Sequence, residues 1–425
     1  MRRYDSYKDS GVAWIGEIPE HWEIRSLRNF LSYVSIKGHG DKQLLSVTRE
    51  NGVIVRNVES KEENHNFVPD DLSGYKLVEE GQFVINKMKS WQGSYGVSSY
   101  TGIVSPAYYV CNLRIENKRF FNIAIRSKSY VPFFTQYSKG IRVDQWDLSP
   151  IALKNIPFIV PPLDEQQNIV EFLDEKTTKI DTYIQEKEKE ICSLEELKQA
   201  EIAFAVTHGI NPDAPMKDSG IAWIGEIPEH WEIRSLRNFL SYVSIKGHGD
   251  KQLLSVTREN GVIVRNVESK EENHNFVPDD LSGYKLVEEG HFVINKMKSW
   301  QGSYGVSSYT GIVSPAYYVC NLRFENKRFF NIAIRSKSYV PFFTQYSKGI
   351  RVDQWDLSPI ALKNIPFIVP PLDEQQQIVE YIQQKTAQID KYIADAKRQI
   401  DSLKEYRQRL ICDAVTGRIN VQPKL

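Results

Sequence analysis

Three stretches of the chain hold side chains whose types and spacing suit hydrogen bonding to phosphates and base edges. In the first, Lys87-Met88-Lys89-Ser90-Trp91-Gln92-Gly93-Ser94-Tyr95, cations, an amide, hydroxyls and aromatics interleave around a glycine. Such a mix can neutralise phosphate while reading base edges. It equally describes a surface hairpin whose Trp91 packs on a sheet. In the second, Ser138-Lys139-Gly140-Ile141-Arg142-Val143-Asp144-Gln145-Trp146, Arg142 can fork onto guanine and Gln145 onto adenine, each for about 1 to 3 kcal/mol of discrimination. Asp144 can instead hold Arg142 in a structural pair. The third, Lys37-Gly38-His39-Gly40-Asp41-Lys42 with Arg49 beyond it, is too short for a dinucleotide fingerprint. It reads as a basic loop touching phosphate or as a solvated turn.

Each stretch occurs twice. Residues 8–167 recur as 217–376 with three changes, Val12 to Ile221, Gln82 to His291 and Ile115 to Phe324, as a recent duplication or recombination would leave. The second set is therefore Lys296, Lys298, Trp300, Gln301, Ser303 and Tyr304; Lys348, Arg351 and Gln354; and Lys246, His248, Lys251 and Arg258. Gln82/His291 is the one difference whose chemistry could alter selectivity, and both side chains are expected to face solvent.

Between and after the copies lie the elements that must position them. Residues 164–207 carry Ile169, Leu173, Ile180, Ile184, Ile191 and Leu194, the a/d rhythm of a supercoiled seam. Residues 373–416 repeat the stripe at Ile378, Ile382, Ile389, Ile393, Ile400 and Leu403. Pro161 and Pro162 end what precedes, Asp164 is placed to cap with Gln167 reaching back, and Gly209 offers a stop. Some forty helical residues make a rod of roughly 60 Å. The two rods are expected to pack on each other.

At 425 residues the chain exceeds one ordinary core. The expected divisions are 1–163, 164–207, 208–372, 373–416 and a tail, 417–425. Net charge is zero, but the sum hides its distribution. Residues 8–163 hold 19 Lys+Arg against 16 Asp+Glu (+3), residues 164–206 hold 5 against 12 (−7), and 373–415 hold 7 against 8 (−1). Cys111, Cys192, Cys320 and Cys412 show no paired spacing, so neither a disulfide framework nor a zinc site is signalled. A reducing cytoplasm fits, and no run of eighteen apolar residues marks a membrane span.

Within one copy, β-branched runs at 52–55, 83–85, 102–104, 108–110 and 156–160 predict strands, and 120–127 a short helix. The tryptophans of the opening arm, Trp14 and Trp22, are expected to pack at the domain edge.

The order of parts resembles the DNA-specificity (S) subunit of type I restriction and modification systems. The likeness rests on Ser10-Gly-Val-Ala-Trp-Ile-Gly-Glu-Ile-Pro-Glu-His-Trp22 opening each copy and Ile156-Pro-Phe-Ile-Val-Pro-Pro-Leu-Asp-Glu-Gln-Gln167 closing it before a rod. It covers nearly the whole chain. It implies an α+β architecture: two near-identical mixed α/β target-recognition domains joined by two long helices that form an antiparallel coiled coil, with the domains at opposite ends about a pseudo-twofold.

It also implies DNA binding, and the three stretches with their twins are the candidate contacts. Partners would be double-stranded DNA, two methyltransferase subunits and up to two restriction subunits, with no membrane. S-adenosylmethionine would belong to the methyltransferase, and ATP and Mg to the restriction subunit, leaving no cofactor, metal or catalytic residue here. The sequence agrees: no Gly-rich methyl-donor turn, no Asn-Pro-Pro-Tyr-like tetrapeptide and no phosphate-binding Gly-x-x-x-x-Gly-Lys loop is found. Asp70-Asp71 and Glu79-Glu80 read as solvated turns. A stand-alone DNA-binding regulator and an autonomous DNA-modifying enzyme are the rival readings.

Overall fold

The proline pair after the strand Pro157–Val160 turns the chain into a helix of 46 residues, Leu163–His208. Its counterpart Leu372–Val415 has 44. This computed structural model describes residues 2–57, 68–139, 146–266, 277–278, 280–348 and 355–423. Helix entry differs from the capping expectation. Pro162 supplies the first carbonyl, to Gln166 N at 2.9 Å, so Asp164 sits inside the first turn. Gln167 donates forward to Glu171 at 2.8 Å and does not reach back. Asp164 and Glu165 still lie where the helix dipole favours negative charge. Gly209 (φ +76°) and Gly417 (φ +72°) end the helices in left-handed conformations, which glycine adopts without a Cβ penalty.

The chain divides into two units, Met1–Lys187 with Arg398–Leu425, and Glu188–Lys397. In the first, a four-stranded antiparallel sheet runs Leu31–Val34, Tyr108–Leu113, Phe83–Asn86, Tyr95–Val97. A hairpin (Leu45–Thr48 with Gly52–Val55) and the pair Lys76–Val78 with Gly102–Val104 flank it. The expected strands are all present. The short helix is Lys118–Arg126, capped by Asn117, whose side chain accepts from Phe120 N. Phe83, Phe121, Phe158 and Tyr130 are fully buried, with Phe121 meeting Phe83 edge-on at 5.2 Å between ring centres.

The beginning of the first long helix pairs within this unit with the end of the second. Asn168 bonds Gln422, and Asp181 bonds Arg407 at 2.9 and 3.2 Å. Residue numbers rise along one partner as they fall along the other, so the pairing is antiparallel. The second unit repeats the sheet with Leu240–Val243, Tyr317–Leu322, His291–Asn295 and Tyr304–Val306. There Lys198 bonds Asp390 at 2.6 Å and Tyr381 bonds Glu201 at 3.1 Å, again antiparallel. All twelve residues of the two apolar stripes are buried or half-buried.

The joint between domain and helix is a carboxylate. Glu165, 8% exposed, accepts from Trp22 Nε1 at 3.0 Å and Tyr4 Oη at 2.8 Å and meets His21 Nε2 at 2.5 Å. Glu374 repeats the contacts with Trp231 at 2.8 Å and His230 at 2.5 Å. Trp22 thus does more than pack at an edge.

Two of the three differences between the copies are absorbed locally. Gln82 and His291 are buried, 5% and 7% exposed, not solvent-facing as expected, because each side chain closes its own turn. Gln82 Oε1 accepts Glu79 N–H at 2.9 Å while Nε2 donates to Asn112 Oδ1 at 2.9 Å. His291 Nδ1 accepts the equivalent Glu288 N–H at 3.1 Å. Phe324, in place of Ile115, joins Phe239 and Phe367 at 5.1 and 5.5 Å.

Two predictions follow from burial. Glu165→Ala leaves a buried indole N–H unpaired and should lower unfolding free energy by about 1.5–3 kcal/mol, with Glu374→Ala costing less because that side chain is 32% exposed against 11%. Urea denaturation of each variant measures it, and equal or zero effects would contradict this account. Burial holds His291 below its ordinary 6.5, with Glu288 opposing the shift and Lys327 adding to it. The unfolded chain then binds more protons just below pH 6.5, so stability falls as pH drops through that window. His291→Gln should remove this loss from thermal melts at pH 7 and 5.

Candidate nucleic-acid interface

The first candidate stretch forms a turn between the strands Phe83–Asn86 and Tyr95–Val97, with a 3-10 segment at Ser90–Gln92 and Gly93 left-handed at φ +96°. Several contacts fix it. Thr135 Oγ1 donates to the Trp91 carbonyl at 3.4 Å, and the buried Ser90 and Ser138 hydroxyls meet at 3.3 Å. Trp91 lies half-buried against Trp146, ring centres 5.4 Å apart, and the Trp300–Trp355 pair has the same spacing. Lys87 is paired with Asp147 at 3.3 Å and Lys296 with Asp356 at 3.2 Å.

Not every candidate in this stretch reaches the surface. Tyr95 is fully buried and stacks on Phe134 at 3.9 Å, as Tyr304 does on Phe343. Ser94 and Ser303 are 4% exposed. Gly93 and Gly302 turn the chain back into the sheet, so these four side chains serve the core, a correction to the sequence expectation. Lys89, Lys298 and Gln92 are exposed and Gln301 half-buried.

For the second stretch, Ser138–Lys139 pairs with Asp147–Leu148, and Ser347–Lys348 with Asp356–Leu357. Arg142, Gln145, Arg351 and Gln354 lie outside the described residues. In the third, Gly38 N bonds Ser73 O at 3.1 Å and Lys42 N bonds His39 O at 3.0 Å. Lys37, Lys42, Lys246 and Lys251 are exposed. His39 is half-buried and its twin His248 likewise.

Arg49 leaves this loop region and joins the first stretch. With Trp91, Gln92, Arg126 and Lys128 it lines a cleft of about 820 Å³ in the first unit. Arg258 with Lys298, Trp300, Gln301 and Asn295 lines one of about 770 Å³ in the second. An arginine, an amide and an indole thus converge in each unit, a donor set able to contact base edges and phosphates.

Sequence reading missed Lys76 and Lys285. Lys76 is anchored by donating to Tyr108 O at 2.6 Å. Burial lowers its pKa, and the neighbouring cations Lys37 and Lys87 lower it further; Lys285 behaves alike beside Lys246 and Lys296. A lone lysine in a three-residue strand carries no motif, so only the fold reveals this convergence of positive charge. Among the described residues no three His, Cys, Asp or Glu side chains converge as metal ligands, and no helix is long and apolar enough to cross a membrane.

Comparison with known proteins agrees on one family. Residues 19–192 match the family model described as type I restriction modification DNA specificity domain. The chain is 22% identical over 426 residues, 96% of each protein, to a putative type I restriction enzyme MjaX specificity subunit of Methanocaldococcus jannaschii. It is 22% identical over 435 residues, 95% of this chain and 94% of the relative, to the MjaVIII specificity subunit of the same organism. A chain from a solved structure titled for complex assembly and conformational transition of the type I R-M system shares the fold, with TM-score 0.63, 14% identity, and coverage of 94% of this chain and 98% of that one.

Converging cations make a measurable prediction. Lys76→Gln with Lys285→Gln should reduce the slope of log K against log salt for a duplex probe by about 0.9 per lost phosphate contact. Fluorescence anisotropy across a salt series reads it, and an unchanged slope would remove both lysines from the interface.

Proposed function

We propose that this chain is a specificity subunit of a type I restriction-modification system, as its likeness to that family supports, and that it reads a bipartite duplex site as two copies of one reader. Partner subunits supply the chemistry: methyltransferase subunits carrying S-adenosylmethionine, and restriction subunits using ATP and Mg, held on this chain as a scaffold in the cytoplasm. Two of each is the stoichiometry the duplicated architecture suits.

One observation carries the reading of the site. The recognition domains differ at three of the positions between 8 and 167, and two of those differences are accommodated inside the fold. The described base-facing residues, Arg49 and Gln92 against Arg258 and Gln301, are identical. Identical readers recognise identical half-sites. Inside each unit the helix leaving the reader is paired antiparallel to the helix returning to it, which supports reading the halves in inverted sense. The target is then an interrupted palindrome, as symmetric readers select symmetric sites.

Methylome sequencing of a host expressing this chain with its methyltransferase partner should return a bipartite motif whose halves are reverse complements. Two unrelated halves would refute the inverted-reader proposal, and methyl transfer by this chain with methyl donor alone would refute the division of labour.

A further inference from the structure

Arg126 ends the helix Lys118–Arg126 with its guanidinium turned into the hairpin that carries Arg49. Nη2 donates to the carbonyls of Arg49 and Glu50 at 3.1 and 2.8 Å, and Nη1 reaches Tyr95 O at 3.4 Å. Arg335 repeats the first two contacts, to Arg258 O at 3.0 Å and Glu259 O at 2.8 Å. The hairpin leaves room for this cation. A Cβ on Gly52, whose φ is +70°, would fall 1.7 Å from Arg126 Nη1, and one on Gly261 2.8 Å from Arg335 Nη1. The facing glycines, Gly96 and Gly305, let the backbones approach, a Cβ there lying 3.4 Å from the Cα of Gly52 and Gly261.

The consequence lies in what each base-facing group is attached to. Gln92 stands on a turn fixed by Thr135, Ser138 and Trp146. Arg49 stands on a different turn, whose two consecutive carbonyls are held by one guanidinium. That cation bridges the two: it rises from the helix packed on the strand Tyr95–Val97 and holds the Arg49 turn from below, and its charge persists because arginine stays protonated in proteins.

We infer that Arg126 in the first reader and Arg335 in the second are positioning residues for base selection, holding Arg49 and Arg258 at a set distance from Gln92 and Gln301. The inference rests on the proposed DNA-reading role. A guanidinium suits this task because its planar fork addresses two acceptors at once, which a lysine ammonium does as a point charge. The selectivity at stake is that of one arginine–base contact, so its loss relaxes one position of one half-site and leaves phosphate affinity largely in place.

The duplicated reader supplies an internal control. Arg335→Ala is made in the full chain, co-expressed with the methyltransferase partner, and the genome's methylation is sequenced beside wild type, Arg126→Ala, Arg335→Lys and Arg237→Ala. Arg237 is exposed and bonded to Asn364, outside the cleft lining. The expected Arg335→Ala motif keeps one half sharp while a base in the other loses roughly 5- to 100-fold of its discrimination. Arg126→Ala gives the same one-sided motif, Arg335→Lys an intermediate one, and Arg237→Ala leaves both halves sharp. Arg335→Lys retains the cation and supplies the readout if the alanine protein is insoluble. Wild-type selectivity in both halves, or fewer methylated sites with an unchanged motif, overturns the inference while the reading of function stands. A wild-type genome without a bipartite motif overturns both.

Discussion

The architecture turns on one carboxylate at the start of each long helix, buried at Glu165 and half-buried at Glu374. Glu165 lies in the first turn, where the helix dipole favours negative charge, and is withdrawn from water by the domain that precedes it. Burying a carboxylate is unfavourable unless its lone pairs are satisfied, and here an indole N–H, a phenol and an imidazole meet it. Those donors come from the arm Tyr4–Trp22, so domain and helix share a joint defined by three directional contacts. In the second copy Tyr4 has no equivalent, since Asp213 stands at the matching offset. Glu374 is accordingly more open. The helix ends meet the same arms: Gly209 lies against Trp231 and Gly417 against Trp22, and a Cβ at Gly417 would fall 3.0 Å from the Trp22 ring.

What the duplication preserved separates two kinds of constraint. In the readers two of the three substitutions are matched by the fold, as when the His291 ring nitrogen takes over the backbone bond made by the Gln82 amide oxygen. The helices changed more freely. Their seams keep apolar residues in the same places while net charge moves from −7 over 164–206 to −1 over 373–415, because a coiled coil needs its a and d positions and leaves the outward face to other uses. One interhelical ion pair is nevertheless kept: Asp181–Arg407 in one unit and Asp390–Lys198 in the other occupy equivalent positions of the repeat, acid matching acid and cation matching cation.

Much of the fold was legible because its signals are local. β-branched runs bounded by turns, a proline pair before an apolar heptad and a glycine after it each encode structure within a few residues. The site was less legible because exposure is a tertiary property. Gly93 in its left-handed conformation decides that Ser94 and Tyr95 enter the sheet rather than face outward, and nothing in the run Lys87-to-Tyr95 announces where the turn ends. Gln82 looked like a surface amide until the fold closed a turn over it. Lys76 and Arg126 escaped notice for a related reason: each acts on residues tens of positions away, and neither sits in a cluster that composition could flag.

Zero net charge conceals how an interface of this kind divides its work. Lys87, prominent in the sequence, is partly neutralised by Asp147, whereas Lys76 bonds a neutral carbonyl and feels the cations Lys37 and Lys87. Positive potential therefore collects beside the strand Lys76–Val78, while the cleft of Arg49 and Gln92 presents directional donors. In the proposed DNA-reading role the first arrangement would attract any duplex, since phosphates repeat regardless of sequence. The second discriminates only if its donors are held still, because a base-edge contact loses its selectivity when the donor can follow the wrong base. Half-buried tryptophan pairs, clamped carbonyls and a rigid helix joint are then parts of one requirement of the proposed role: flexibility in the cleft would leave affinity intact and remove specificity.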